Sequence, residues 1–225
     1  MDKPYGVRLQ AKKRGGKRAW RVGLSREGIE TEALAEIEAH GLQDFSLRKL
    51  AMRMGCEPMS LYHHFPSKAH LMDALVDRVM GALPAPRKNL AWRARITALV
   101  YEYREMAHRH PAFLHYLALH RLNTPTGLKW LNRTLEAFGS AGLGQEETAR
   151  LFRIFGYYIV GAALDETSGY AKGPSACEPV PDAIVARDYP AVAAAGPYFA
   201  SSQFDRTFEE GLAILLDGMA ARRKS

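Results

Sequence analysis

Apolar residues recur at spacings of three and four along most of this 225-residue chain, and no stretch alternates apolar and polar residues for long. Because this spacing places side chains on one face of an α-helix, the pattern predicts an all-α protein. The first, second and fourth helices each follow a serine able to cap a helix N-terminus, at Ser25, Ser46 and Ser67. The glycines Gly41 and Gly55 are expected to end the first two helices.

Longer helices are expected in the second half, near residues 90–109, 126–141 and 145–170, with proline or glycine at each break. Residues 171–203 contain five prolines and many small residues, so we expect a long connection with one short helix around 182–195. The last helix has the clearest apolar face, which consists of Phe204, Phe208, Gly211, Leu212, Leu215 and Met219.

The second helix, "SLRKLAMRMG", and a short third helix, "PMSLYHHF", are joined by only a few residues around Gly55. This is the spacing of a helix-turn-helix unit, whose second helix lies in the major groove of DNA. Glu57 is the one acid between residues 45 and 72. The side chains left outside the expected core carry cations, hydroxyls or imidazoles, and they are Arg48, Lys49, Arg53, Ser60, Tyr62, His63, His64 and Lys68. Such groups suit phosphates and base edges, so the unit is predicted to bind DNA.

The net charge of +7 comes from one end of the chain. Residues 1–22 hold eight bases and one acid, and the rest of the chain carries 23 bases and 23 acids. We interpret this segment as a flexible basic arm suited to a polyanion, with a solvated extension of no specific role as the alternative. The expected division is an arm at 1–22, a helix-turn-helix domain at 23–88 and a second helical domain at 89–225.

Several classes of protein are disfavoured by what the sequence lacks. Cys56 and Cys177 lie far apart and support neither a disulfide framework nor a thiolate zinc site. No apolar run approaches the roughly 18 residues of a membrane span, so a cytoplasmic protein without a membrane partner is expected. Motifs such as GxSxG, HExxH and the P-loop are missing, so we predict neither an enzyme nor a required cofactor.

Residues 24–83, with "SLRKLAMRMGCEPMSLYHHFPSKAHLMDAL" at their centre, resemble the DNA-binding domain of the tetracycline-repressor (TetR) family. Weaker resemblance continues through "LEAFGSAGLG" and "FEEGLAILLDGM" to a tetracycline-repressor type of C-terminal domain. The resemblance implies a three-helix helix-turn-helix domain followed by a helical ligand-binding and dimerisation domain. It also implies a homodimeric repressor that leaves a palindromic operator when a small molecule binds. The alternatives are nonspecific nucleic-acid binding through the basic arm, or an enzyme with an unrecognised site.

Roles in DNA binding follow from the resemblance, position by position. Contact with phosphates is implied for Tyr62 and Lys68, and contact with the DNA backbone for Ser46. Contact with a base edge is implied for Arg48, and exposed positions on the reading helix for Ser60 and His63. His64 aligns with a histidine close to the phosphate backbone, whereas the resemblance places five apolar residues in the core, namely Leu47, Leu50, Ala51, Leu61 and Phe65.

The adjacent histidines His63 and His64 are a poor metal site, because neighbouring residues on a helix point about 100° apart. A chelating partner would be needed four residues further on, where the sequence has Ser67 and Lys68. The pair is therefore either an inert part of the surface or a contact with DNA, and we expect the contact.

A ligand cavity in the second domain is expected to combine aromatic walls with a few polar groups. The candidates are Tyr103, Thr134, Phe152 and Asp165, with His115 as a polar group. The family resemblance places His115 and Asp165 near residues that hold magnesium together with a drug, although no metal site is predicted. The four histidines between residues 108 and 120 do not share one helical face, and Pro111 is interpreted as a break between helices.

Dimerisation is expected because one short reading helix contacts few base pairs. The last helix has a wide apolar face, and Gly156 and Gly161 in the preceding long helix permit a close approach. These two helices are predicted to form a four-helix interface with a second copy.

Overall fold

The computed structural model describes residues 24–169 and 171–223, so the basic segment predicted at 1–22 lies outside it. The described part contains helices and turns and no strand, which confirms the all-α prediction. Two short 3₁₀ turns, Gly196–Phe199 and Ser201–Gln203, precede the last helix. The helices are α1 Arg26–His40, α2 Leu47–Met54, α3 Pro58–His64, α4 Lys68–Gly81, α5 Trp92–Arg109, α6 Pro111–Leu119, α7 Pro125–Gly139, α8 Gln145–Ser168, α9 Asp182–Asp188, α10 Pro190–Ala195 and α11 Phe204–Arg222.

Local capping explains where the N-terminal helices begin and end. The side-chain oxygens of Ser25, Ser46 and Ser67 each accept a hydrogen bond from the backbone N–H three residues further on. These bonds satisfy donors that a helix cannot pair internally. Gly55 ends α2 in the left-handed conformation with φ 67°, which turns the chain sharply into α3. The serine caps and the turn glycine are as predicted.

The apolar faces of α1 to α4 form one core. The five residues expected there, Leu47, Leu50, Ala51, Leu61 and Phe65, are at most 5% exposed. The same core continues into the second half of the chain, where Met106 of α5 and Phe113 and Leu117 of α6 pack against it. Movement of α5 or α6 therefore cannot leave the N-terminal helices undisturbed.

A second core joins α5, α7, α8 and α11 around Ile96, Phe155 and Phe208. Tyr158 of α8 crosses to α11, where its hydroxyl donates to the carbonyl of Phe208 at 2.6 Å. Gly211 permits this approach, because a Cβ added there would lie 2.6 Å from the Tyr158 oxygen. The connection between α8 and α11, which contains α9 and α10, has no buried side chain among its described residues.

The sequence interpretation missed one helix and joined two others. Pro111 separates α5 from α6, as predicted, but it does so from the first turn of α6, a helix that was not predicted and in which proline needs no hydrogen-bond partner. The single short helix expected around 182–195 is two helices, because Pro190 starts a new one after Tyr189.

Candidate nucleic-acid interface and ligand cavity

The candidate nucleic-acid interface consists of α2, α3 and the start of α4, and it presents the side chains predicted from the sequence. Arg48, Tyr62 and His63 are exposed, with Tyr62 41% accessible, while Ser60 and His64 are half-buried. Ser46 uses its oxygen as an acceptor for the Lys49 N–H at 3.2 Å, which leaves its own proton available to donate.

Two exposed methionines on these helices were not predicted from the sequence. Met59 on α3 is 65% exposed and Met52 on α2 is 66% exposed. Met59 lies one turn before His63, so the two share a face of the reading helix. An exposed apolar side chain there suits the methyl group of thymine. The sequence did contain a signal for Met59, because this residue lies outside the apolar stripe of its helix and is therefore expected to be exposed.

Lys68 holds the interface together as well as facing solvent. Its ammonium donates to the carbonyl of Phe45 at 2.8 Å and lies 5.3 Å from the centre of the Phe45 ring. These contacts fix the start of α4 against the segment before α2. An ammonium has three donors, so a phosphate can still be bound by those that remain.

α1 anchors both helices of the helix-turn-helix unit. Arg53, expected among the outward cations, pairs instead with α1, 2.6 Å from Glu36 and 3.3 Å from Glu32. Arg26 donates to the carbonyl of His64 at 3.0 Å, and its guanidinium lies 4.2 Å from the centre of the Phe65 ring. The charge of Arg53 thus serves the fold, and Arg26 fixes the C-terminal end of α3.

A cavity of about 530 Å³ lies among α4, α5, α6, α7 and α8. Three of the five predicted ligand residues, Tyr103, Thr134 and Phe152, line it. Burial raises the pKa of Tyr103 to about 12, so the phenol stays protonated at neutral pH. Thr134 donates to the Trp130 carbonyl at 3.0 Å, and Phe152 packs edge-on against Phe138.

The other two predicted ligand residues do not reach this cavity. α6 buries Phe113, Leu114 and Leu117, which leaves His115 exposed with its Nε2 3.3 Å from the Ser168 hydroxyl. Asp165 lines a separate cleft between α8 and α11. The helical register of α6, which the sequence interpretation lacked, explains the difference for His115.

Within the described ranges, no group of three or more histidines, cysteines or acids is placed to hold a metal ion. Over the same ranges, none of the helices combines the length and apolar character needed to cross a membrane.

Two polar contacts join the cavity helices to the N-terminal helices. Glu38 of α1 accepts the backbone N–H groups of Ala112 and Phe113, in the first turn of α6, at 2.9 and 3.2 Å. Thr124, which caps α7, donates to the carboxylate of Asp77 on α4. Both α6 and α7 are therefore bonded to helices that support the candidate interface.

A buried charged network ties α5 to α8 and α11. Glu166 is 3% exposed, and its carboxylate lies 2.8 Å from the Arg104 guanidinium and 2.7 Å from His108 Nε2. Arg104 also contacts Asp205 of α11 at 2.7 Å and stacks on the Phe208 ring at 4.3 Å. A buried carboxylate paired in this way orders the helices it joins.

A helix-turn-helix unit with an acid-poor exposed face, joined through a shared core to a helical domain with a cavity, defines a DNA-binding transcription regulator. Residues 29–75 match the family described as bacterial regulatory proteins, tetR family, and residues 84–223 match the tetracyclin repressor-like C-terminal domain. The second match alone covers more than half of the chain, which belongs to the TetR family of transcription regulators. The resemblance found in the sequence is confirmed.

Named relatives agree with this assignment. The chain is 29% identical over 196 residues to the class A tetracycline repressor of transposon 1721 from Escherichia coli, covering 85% of this chain and 88% of the relative. A possible TetR-family regulator from Streptomyces coelicolor A3(2) superposes with a TM-score of 0.71 at 25% identity, covering 88% and 99% of the two chains. ActR from Streptomyces coelicolor, solved with actinorhodin, gives 0.71 at 24% identity and covers 89% and 97%.

Proposed function

We propose that this protein is a homodimeric repressor that binds a palindromic operator and leaves it when a small molecule fills the cavity among α4 to α8. The observation that supports this proposal is that one helix, α4, reaches both the candidate interface and the cavity. α4 begins with Lys68 at the candidate interface and ends beside the cavity, which its residue Met80 lines. If a ligand binds more tightly to one orientation of α4 than to another, it shifts the population of protein molecules towards that orientation of the helix.

Support for sequence-specific DNA binding comes from the mixture of groups at the interface. Tyr62 and Lys68 offer donors for phosphates, which provide affinity without sequence preference. Arg48, Ser60 and His63 offer hydrogen bonds to base edges, which provide preference. Ser46 and His64 lie at the margins and are proposed to contact the DNA backbone.

Support for a dimer comes from an exposed face on α8 and α11. Tyr157 is 65% exposed and Ile214 is 70% exposed. A Cβ added at Gly156 or Gly161 would meet nothing within 4 Å in the chain, so these glycines leave room for a helix of another copy. A second copy would supply a second reading helix, placed to reach the next half-site of a palindrome.

The direct test is selection of DNA from a random pool by the purified full-length protein, followed by fluorescence anisotropy with the selected duplex. We expect a palindromic consensus and an affinity that falls steeply with salt. Arg48→Ala should cost about 1–3 kcal/mol and relax preference at one position of each half-site. Tyr62→Phe should weaken binding to all duplexes alike, because it removes a phosphate contact.

Matched controls are available elsewhere on the surface. Arg187 and Tyr189 are exposed and lie outside both the candidate interface and the α8 and α11 face, so Arg187→Ala and Tyr189→Phe should leave DNA binding unchanged. Deleting residues 1–22 should lower affinity but keep the consensus. If the selection returns no consensus, or if the deletion removes all binding, nonspecific binding through the arm is the correct description.

The dimer is tested by sedimentation of the Ile214→Arg variant, which places a charge on the exposed α11 face. The wild type should sediment at twice the chain mass, and the variant should approach one chain mass and lose operator affinity. A wild-type monomer that still binds the full palindrome would contradict the proposed assembly.

A further inference from the structure

The cavity of about 530 Å³ is walled by aromatic rings. Phe138 packs edge-on against Phe152 at 5.9 Å and against Phe155 at 5.1 Å, between ring centres. Trp130 lines the cavity from α7, and aliphatic side chains of α5 and α8 complete the wall. Rings prefer offset or edge-on partners, so this wall offers its best contacts to a flat aromatic molecule.

The charges of the residues that line the cavity decide which charge a bound molecule can carry. Of the described residues that line the cavity, none is acidic, and Arg153 and His120 can carry positive charge. His120 has a neighbouring carboxylate, with its Nε2 3.7 Å from Asp73. Arg153 lies over the Tyr157 ring at 5.1 Å, and no acid among the described lining residues is available to pair with it. A cationic ligand would lose hydration here without gaining a counter-charge, whereas a neutral or anionic ligand would not.

Tyr103 provides the hydrogen bond that fixes orientation. Among the described residues its hydroxyl has no hydrogen-bond partner, whereas Thr134, on the same wall, already donates to the Trp130 carbonyl. Once a ligand displaces water from these apolar walls, the protonated phenol keeps a partner for its donor only if the ligand brings an acceptor.

We propose that the effector is a flat aromatic molecule, uncharged or anionic, with a carbonyl or carboxylate oxygen that accepts a hydrogen bond from Tyr103. This rests on the proposed function, because it assigns the ligand of the same cavity. Two features of the cavity favour this kind of effector, namely the lining without a described acid and the Tyr103 phenol without a hydrogen-bond partner among the described residues.

The test uses three probes that share one ring system, namely anthracene-2-carboxylate, 2-(aminomethyl)anthracene and 2-ethylanthracene. Their fluorescence is titrated with the full-length protein. The carboxylate should bind at least about ten-fold more tightly than the cationic amine. Tyr103→Phe should weaken the carboxylate roughly three- to ten-fold and leave 2-ethylanthracene, which has no acceptor, nearly unchanged.

Two further variants locate the site. Ala118 lines the cavity, and Ala118→Phe should fill it and weaken all three probes, whereas Tyr189→Phe, outside the cavity, should change none. The proposal is overturned if the amine binds as tightly as the carboxylate, if Tyr103→Phe affects the carboxylate and 2-ethylanthracene alike, or if no probe binds. Operator binding is measured separately, so failure there removes the repressor proposal and leaves the probe result standing.

Discussion

The start of α6 allows a quantitative test of how the two halves of the chain are joined. α6 has no capping side chain of its own, and Glu38 supplies the acceptors for two of its first N–H groups. Hydrogen bonds to a charged group contribute roughly 1.5–3 kcal/mol each, and an anion at a helix N-terminus about 0.3–1 kcal/mol. The Glu38 side chain is 21% exposed, so water replaces part of what is lost. Glu38→Ala should therefore destabilise α6 by about 2 kcal/mol.

Amide hydrogen exchange followed by mass spectrometry measures this change directly, because it reports local opening. A loss of 2 kcal/mol corresponds to roughly 30-fold faster exchange in peptides that cover α6. Glu38→Gln keeps one oxygen acceptor and should show a smaller increase. The control is Glu105→Ala, since Glu105 is exposed on α5 and pairs with none of the described residues. Equal exchange of α6 in Glu38→Ala and the wild type would refute the assigned cap.

Three other changes probe the fold. Burial lowers the pKa of His110, so its share of stability is complete above the ordinary histidine pKa of about 6.5 and is lost as the pH falls from that value through the lower pKa of the folded protein. His110→Gln should therefore flatten the pH dependence of the melting temperature. Gly211→Ala should cost about 1–3 kcal/mol in urea unfolding because its Cβ would meet a tyrosine of α8, whereas Gly139→Ala, with open space at the end of α7, should be neutral or stabilising. Glu166→Ala should cost about 3 kcal/mol in the same assay by leaving Arg104 without its buried partner, and an unchanged midpoint would contradict the network.

The N-terminal domain could be predicted closely because its signals are local. Serine caps, the left-handed turn at Gly55 and the apolar stripes of α1 to α4 each depend on residues within one or two helical turns. The pairing of Arg53 with Glu32 and Glu36 could not be foreseen, since it depends on how α1 packs across α2.

The ligand cavity was only partly predictable, and α6 shows why. Pro111 is compatible both with a break and with the first turn of a helix, and the cap that favours the helix comes from Glu38, far away in the sequence. Without α6 the register of His115 was unknown. Tyr103, Thr134 and Phe152 lie on long helices with clear periodicity, so their inward placement needed no knowledge of α6.

The position of α4, between the candidate interface and the cavity, sets the scale of movement that the proposed release from DNA would require. The helix has 14 residues, which makes it about 21 Å long. As a rigid lever pivoting at its cavity end, it would carry its other end about 1.8 Å for a tilt of about 5°. A hydrogen bond to a base edge tolerates a change of only about half an ångström in its donor–acceptor distance. In the proposed mechanism, a tilt of α4 at Met80 that is too small to alter the fold would thus be large enough to move the helix-turn-helix unit out of register with DNA.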